Sequence, residues 1–337
     1  MCYSKTFKRR EYRLIKGKMS KAKIKNERSP IKVKKALKEK NNLTETTKEY
    51  LSDRKYEIKL DDLVNQKLRE VILLLSNEKF LLHGGSSPEQ FSKQLKLYED
   101  VVKDVQSIIS CTAYWGDNKH YYQMINKIFA RISDTLKHQS GHVVNIYIRW
   151  YPLFLLLYSA GIASIAADNY LALSSILTAK VQSPSNIHGT VPNSIPIGEA
   201  AAKLHNAFKT IPGYEEHYVP RSEYLYKLLQ PDLDDLLFLG NDYERYFDRL
   251  EIFLALVYVD FKYKPEGIVW GPLGRFAWKY RNRDSGEGNT FLEILEEAER
   301  QKDDWPPLKA NLFSGSYERF IEIAKKFQEL LISLKRF

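Results

Sequence analysis

Four aspartates and a lysine are the first residues whose types and spacing could do chemistry. "PDLDD" supplies Asp232, Asp234 and Asp235, and "VDFK" sets Asp260 two positions before Lys262. Carboxylates beside a D-x-K unit can bind magnesium while the lysine steadies a developing charge, which is the chemistry of a metal-dependent nuclease. That chemistry needs the carboxylates on neighbouring strands, whereas the intervening residues 243–256 read as helix. Asp232, Asp260 and Lys262 therefore stand as the alternative assignment, not the leading one. His138 and His142 are spaced like zinc ligands on a helix, but the intervening "QSG" has no HExxH glutamate and reads as a helix end. The only cysteines, Cys2 and Cys111, offer no CxxC pair to complete a site. "LFSGSYE" lacks the GxSxG elbow of a serine hydrolase. The chain reads as non-enzymatic, with no metal and no cofactor expected.

"WGPLGRFAWKYRNR", residues 270–283, poses the phosphate-binding question. Gly271 and Gly274 lack a third glycine at the GxGxxG position and a preceding strand, and no GK[ST] follows a glycine run anywhere. The glycines read as turn residues. Phe276, Trp278 and Tyr280 interleave with Arg275, Lys279, Arg281 and Arg283, a pattern that suits single-stranded nucleic acid. Asp284 and Glu287 nearby favour a solvated face instead, with the long stems covering the rings. Arg275 and Lys279 remain the exposed-contact candidates of this segment.

The stronger polyanion signal lies at the other end. Residues 1–40 hold 16 Lys/Arg against 3 acidic residues, a surplus of 13, while the rest of the chain has 36 basic and 39 acidic residues, a deficit of 3. The whole net charge of +10 therefore belongs to the N-terminal segment. Lys8, Arg9, Arg10, Arg13, Lys16, Lys18, Lys34 and Lys35, interleaved with Tyr3, Phe7 and Tyr12, can release counterions from nucleic acid or an acidic partner. Residues 1–45 are Lys-rich, low in apolar content and broken at Ser29-Pro30, and read as a basic, disordered tail. Met19 is a second candidate start.

These residues must be positioned by helices. Leu60, Leu63, Val64, Leu68, Val71, Ile72 and Leu75 recur at helical spacing and predict a helix over 60–76. Ser87, Pro88 and Gln90 form a capping-box start for a helix to about Cys111. Gly116-Asp117 caps another to about Leu136, and a third begins near His142. It enters "WYPLFLLLYSAGIASIAA", residues 150–167, which is uncharged and at the lower limit for a membrane span. Pro152, Ser159, Gly161 and Ser164 interrupt that run, so a buried core helix is the reading and a membrane partner is not expected. Small residues Ala160, Gly161, Ala163, Ala166 and Ala167 let helices approach closely, and Asp168 or Asn169 can cap the next helix, giving a tight hairpin. "QSPSNIHGTVPNSIPI", 182–197, predicts a loop between helical subdomains 46–181 and 198–337. Asn241 with Glu244 predicts a capping box opening a helix over 242–258. Another follows near 290–301. Phe320, Ile323, Ala324, Phe327, Leu330, Leu331 and Leu334 lie on one face of a last helix. The fold class is all-α, a multi-helix globular body with helical-hairpin packing. The scarcity of cysteine and the absence of an apolar leader point to the cytoplasm.

"RWYPLFLLLYSAGIASIAADNYLALSSIL" (149–177), "GPLGRFAWKYR" (271–281) and "WPPLKANLFSGSYERF" (305–320) together resemble an uncharacterised helical region of bacterial multidomain proteins. There it commonly follows a Schlafen-type ATP-binding domain or a sirtuin-like effector domain. The resemblance spans most of 60–336, rests on apolar, structural motifs and carries over no catalytic residue. It implies a sensing or assembly module of the antiviral-defence kind. This chain has a basic tail where that pattern has an effector domain. The resemblance thus implies a protein partner, a separately encoded effector, or else a remnant of a longer protein.

Overall fold

A helix that is apolar all round must be covered on every side, and the uncharged run at 150–167 decides the centre of this molecule. The structure is a computed structural model. It describes residues 30–77, 80, 87–136, 141–183, 189–264, 267, 270–281 and 289–334, with backbone alone over 30–40 and at 281. The chain divides into two units, Met1–Glu45 and Thr46–Phe337. Fifteen α-helices lie among the described residues, so the fold is all-α.

Helix α1 (Pro30–Leu51) begins inside the stretch that composition reads as disordered. Proline suits a first helical turn, and the Lys, Ala, Leu and Glu residues after it are good helix formers. Helix α2 (Glu57–Leu75) buries Leu60, Val64, Leu68, Val71 and Leu75. The capping box of α3 (Pro88–Trp115) forms as expected: Gln90 N donates to Ser87 Oγ at 3.3 Å, and Ser87 N donates to Gln90 Oε1 at 2.9 Å. Helix α4 (Lys119–Ser133) is capped by Asn118, not by Gly116-Asp117, because the Asn118 carbonyl accepts from His120 N at 2.9 Å.

The apolar run splits into α5 (Val143–Ile148) and α6 (Tyr151–Ala166). Pro152 has no N–H to donate back one turn, which ends the first helix and suits the start of the second. Every residue from Tyr151 to Ile165 is buried. Each large apolar side chain so covered contributes about 1.5–3 kcal/mol. Helix α7 (Tyr170–Thr178) completes the expected hairpin through Asn169, whose side chain accepts from Ala172 N at 3.1 Å. Among the described residues no helix is long and apolar enough to cross a membrane.

The stretch expected as a loop carries strand and helix among its described residues. Strands β1 (Lys180–Gln182) and β2 (Thr190–Pro192) pair antiparallel with Val181 opposite Val191, and α8 (Ser194–Lys203) follows. Three-residue strands are too short to show alternation. After α9 (His205–Lys209) come α10 (Pro220–Leu237) and α11 (Tyr243–Lys262). The predicted Asn241–Glu244 capping box does not form. A 3₁₀ turn, Gly240–Asp242, leads into α11, and Asp242 caps it without a side-chain bond. Helix α6 packs against α3, α7, α10 and α11. At Gly161 an added Cβ would lie 2.4 Å from Leu250 Cδ1, so a side chain there would make Leu250 shift at the α6–α11 crossing. Helices α12 (Phe276–Arg281), α13 (Thr290–Gln301), α14 (Pro306–Lys309) and α15 (Tyr317–Ser333) close the body, with Phe320, Ile323, Ala324, Phe327 and Leu331 buried on α15.

Candidate functional site

The nuclease candidates are committed to separate partners. Asp232, on α10, forms a half-exposed pair with Lys103 of α3 at 3.6 Å. Asp260, in the last turn of α11, accepts from Arg319 Nε at 2.7 Å. Lys262 Nζ donates to Glu199 of α8 at 3.0 Å. Asp234 accepts from Gly240 N at 2.7 Å and closes the end of α10. Asp260 lies on a helix rather than on one of two neighbouring strands. Among the described residues no group of three or more His, Cys, Asp or Glu is placed to hold a metal ion. His138 lies outside the described residues, and His142 stands exposed at the start of α5.

The glycine loop before α12 does cradle a carboxyl group, and the group is the protein's own. A Cβ on Gly274 would sit 1.8 Å from Glu251 Oε2. Only a bare backbone lets Arg275 N come within 3.0 Å of that oxygen and donate to it. Ser222 Oγ donates to the same oxygen at 2.8 Å and accepts from Arg275 N at 3.0 Å. Tyr158 OH donates to Glu251 Oε1 at 2.9 Å, and Arg221 Nη1 donates to Tyr158 OH at 2.6 Å. Arg221 Nη2 donates to the Leu273 carbonyl at 3.2 Å and stands 3.9 Å from Glu251 Oε1. Tyr158, Arg221, Ser222 and Glu251 are all buried. Desolvation raises the Glu251 pKa, against the pull of Arg221. Burial also opposes the Arg221 charge, but Tyr158 and Glu251 outweigh it and its pKa is raised. The cluster ties α6, α10, α11 and the loop together.

Arg275 and Lys279 are turned inward, to a second set of carboxylates. The Arg275 guanidinium lies 3.7 Å from the Tyr226 ring centre, 3.0 Å from Glu244 and 3.8 Å from Asp248. Its side chain is only 15% exposed, which leaves little for a ligand. Lys279 bridges Asp248 and Glu244. Burial raises the Asp248 pKa, whereas the Lys279 hydrogen bond lowers that of Glu244. Phe276 and Tyr280 are buried, and Trp278 packs on Tyr218 with ring centres 4.0 Å apart. The expected exposed contact is thus an internal ionic layer. Its cations read as surface residues because the carboxylates that meet them arrive from distant helices. The signal that marks them is the charge triplet Asp248, Arg249 and Glu251 inside the otherwise apolar run 247–259.

Of the N-terminal cations, Lys8, Arg9, Arg10, Arg13, Lys16 and Lys18 lie outside the described residues, and for Lys34 and Lys35 only the helical backbone of α1 is described. A cleft of about 790 Å³ lies between α3 and the α9–α10 connection, walled by Leu95, Leu97, Ile211, Pro212 and Tyr224 with Glu89, Lys93, Lys96 and Asp100 along it. Tyr224 OH donates to Glu99 at 2.7 Å and Tyr151 OH donates to it at 2.9 Å. Burial raises the Glu99 pKa against those two bonds. A mostly apolar cleft of this size with few polar groups can hold a small molecule or a short peptide. The chain matches no family model, no curated protein and no solved structure.

Proposed function

We propose that the chain is a non-enzymatic, cytoplasmic helical module that acts by binding, as a sensing or assembly part of a bacterial defence-type system. Its basic N-terminal segment contacts nucleic acid, and its body docks a protein partner, a separately encoded effector. One observation carries the reading: the surplus of 13 positive charges in residues 1–40, set against a body with a deficit of 3. A polyanion gains affinity from such a segment by counterion release, which needs no folded pocket. The inward pairing of Arg275 and Lys279 supports the same reading, because it leaves the charges of those two residues met by Glu244 and Asp248.

The test compares the full chain with a variant in which Lys8, Arg9, Arg10, Arg13, Lys16, Lys18, Lys34 and Lys35 are all glutamine. Binding of a labelled oligonucleotide is followed by fluorescence anisotropy against salt concentration. Each lost phosphate contact should flatten the slope of log K against log salt by about 0.7 for a single strand, so eight contacts account for roughly 5–6. Equal affinity and equal slope in the two proteins would remove the segment from the reading.

A further inference from the structure

Directly after the basic segment, residues 50–59 repeat the cation–aromatic pattern with the rings left at the surface. Tyr50 ends α1, and Tyr56 lies in the 3₁₀ turn Arg54–Tyr56. Both rings are partly exposed, with centres 5.7 Å apart and planes at 37°. Lys59 Nζ stands 4.9 Å from the Tyr56 ring centre and 5.9 Å from that of Tyr50, and Lys55 Nζ stands 4.8 Å from Tyr56. Ile58 beside them is 76% exposed, a large apolar side chain with nothing over it.

The carboxylates within the turn are already engaged. Asp53 caps it by accepting from Lys55 N at 2.9 Å and pairs with Lys55 Nζ at 2.7 Å. Glu57 accepts from Asn118 Nδ2 at 3.3 Å. Neither Arg54 nor Lys59, both exposed, forms an ion pair among the described residues. This differs from Arg275 and Lys279, whose charges are met by acids from other helices.

We infer that Tyr50 and Tyr56, with Arg54, Lys55 and Lys59 around them, form a stacking platform for the bases of single-stranded nucleic acid. The inference rests on the polyanion-binding reading above and adds the class of nucleic acid and the residues that choose it. The basic segment attracts any phosphate backbone, single or double. Bases inside a duplex have no free face, so a ring platform is open only to a single strand. An exposed ammonium over a tyrosine is held more weakly than a stacked base, so a base displaces the lysine and leaves its charge for a phosphate.

The experiment uses the full chain with labelled oligothymidylate of about 20 nucleotides and a duplex of the same length. Wild type should favour the single strand. The Tyr50→Ala/Tyr56→Ala double variant should lose about tenfold or more in single-strand affinity while duplex affinity stays within about twofold. A circular-dichroism melt within a few degrees of wild type shows that the variant's helical body is folded. The Tyr50→Phe/Tyr56→Phe variant keeps the rings and should bind the single strand like wild type. Equal affinity of wild type for the two probes, or an alanine variant that keeps its single-strand affinity, overturns the platform but leaves the basic segment's role standing. Failure of wild type to bind either probe overturns both.

Discussion

Replacing Gly274 by alanine puts a methyl group where the Glu251 carboxylate now lies, with Oε2 at 1.8 Å and Cδ at 2.2 Å. A carboxylate at the end of a flexible side chain could ordinarily swing away. Here it is fully buried and fixed by Tyr158 OH, Ser222 Oγ and Arg275 N. Moving it leaves Tyr158 OH and Ser222 Oγ without the acceptor they donate to, and takes the opposite charge away from Arg221, now 3.9 Å distant. Hydrogen bonds to a charged group are worth about 1.5–3 kcal/mol each, and breaking a buried ionic set costs about 3–5 kcal/mol. In a body of this size each kcal/mol corresponds to roughly 2 °C. Gly274→Ala should therefore melt roughly 6–10 °C below wild type, read by circular dichroism and checked by urea unfolding. A melt within about 2 °C of wild type would refute the reasoning. Glu251→Asp withdraws the carboxylate by one methylene, so the two substitutions should couple by more than about 1 kcal/mol in a double-mutant cycle. Strict additivity would show that Glu251 is not the obstacle.

Two further outcomes follow from the same burial. Desolvation raises the Glu251 pKa above its ordinary value near 4.5, so in the window above that value the folded chain keeps a proton the unfolded chain has released. Stability must then fall as pH rises through the window, and Glu251→Gln, which has no such proton, should gain relative to wild type as pH rises above about 4.5. A pH-independent difference in unfolding free energy would exclude this. Burial pushes the Cys111 thiol up to about 12. At about pH 8 roughly one such thiol in ten thousand is ionised. Peptide mass spectrometry after iodoacetamide should find Cys111 unmodified in the native chain and alkylated in urea; rapid native labelling would contradict the buried placement.

What the sequence shows about this fold is what its residues settle locally. Ser87, Pro88 and Gln90 state a helix start because all three partners lie within one turn. The uncharged run at 150–167 states a buried core because no exposed surface tolerates it. Local rules fail where another element intervenes. Asn241 and Glu244 have the spacing of a capping box, but the 3₁₀ turn ahead of α11 removes the geometry that the box requires. The stretch 182–197 is rich in turn residues and still pairs Gln182 with Thr190, because a two-stranded ribbon needs only three residues a side.

The two cation–aromatic segments carry this argument to the candidate site. Residues 275–280 and 50–59 look alike in sequence, yet one is internal and the other superficial. The difference lies in neither segment. Arg275 and Lys279 find Glu244 and Asp248 about thirty positions upstream, on a helix whose apolar neighbours hold Asp248 in the core while Glu244 stays half-exposed. A charged residue at the edge of a long apolar run is therefore the feature that predicts an inward ion pair. Arg54 and Lys59 form no ion pair among the described residues, and Asp53 and Glu57 beside them are spent on a cap and an asparagine. The same interleaving thus becomes mortar in one place and an open platform in the other, and single-strand preference is the property that tells the platform from a merely basic surface.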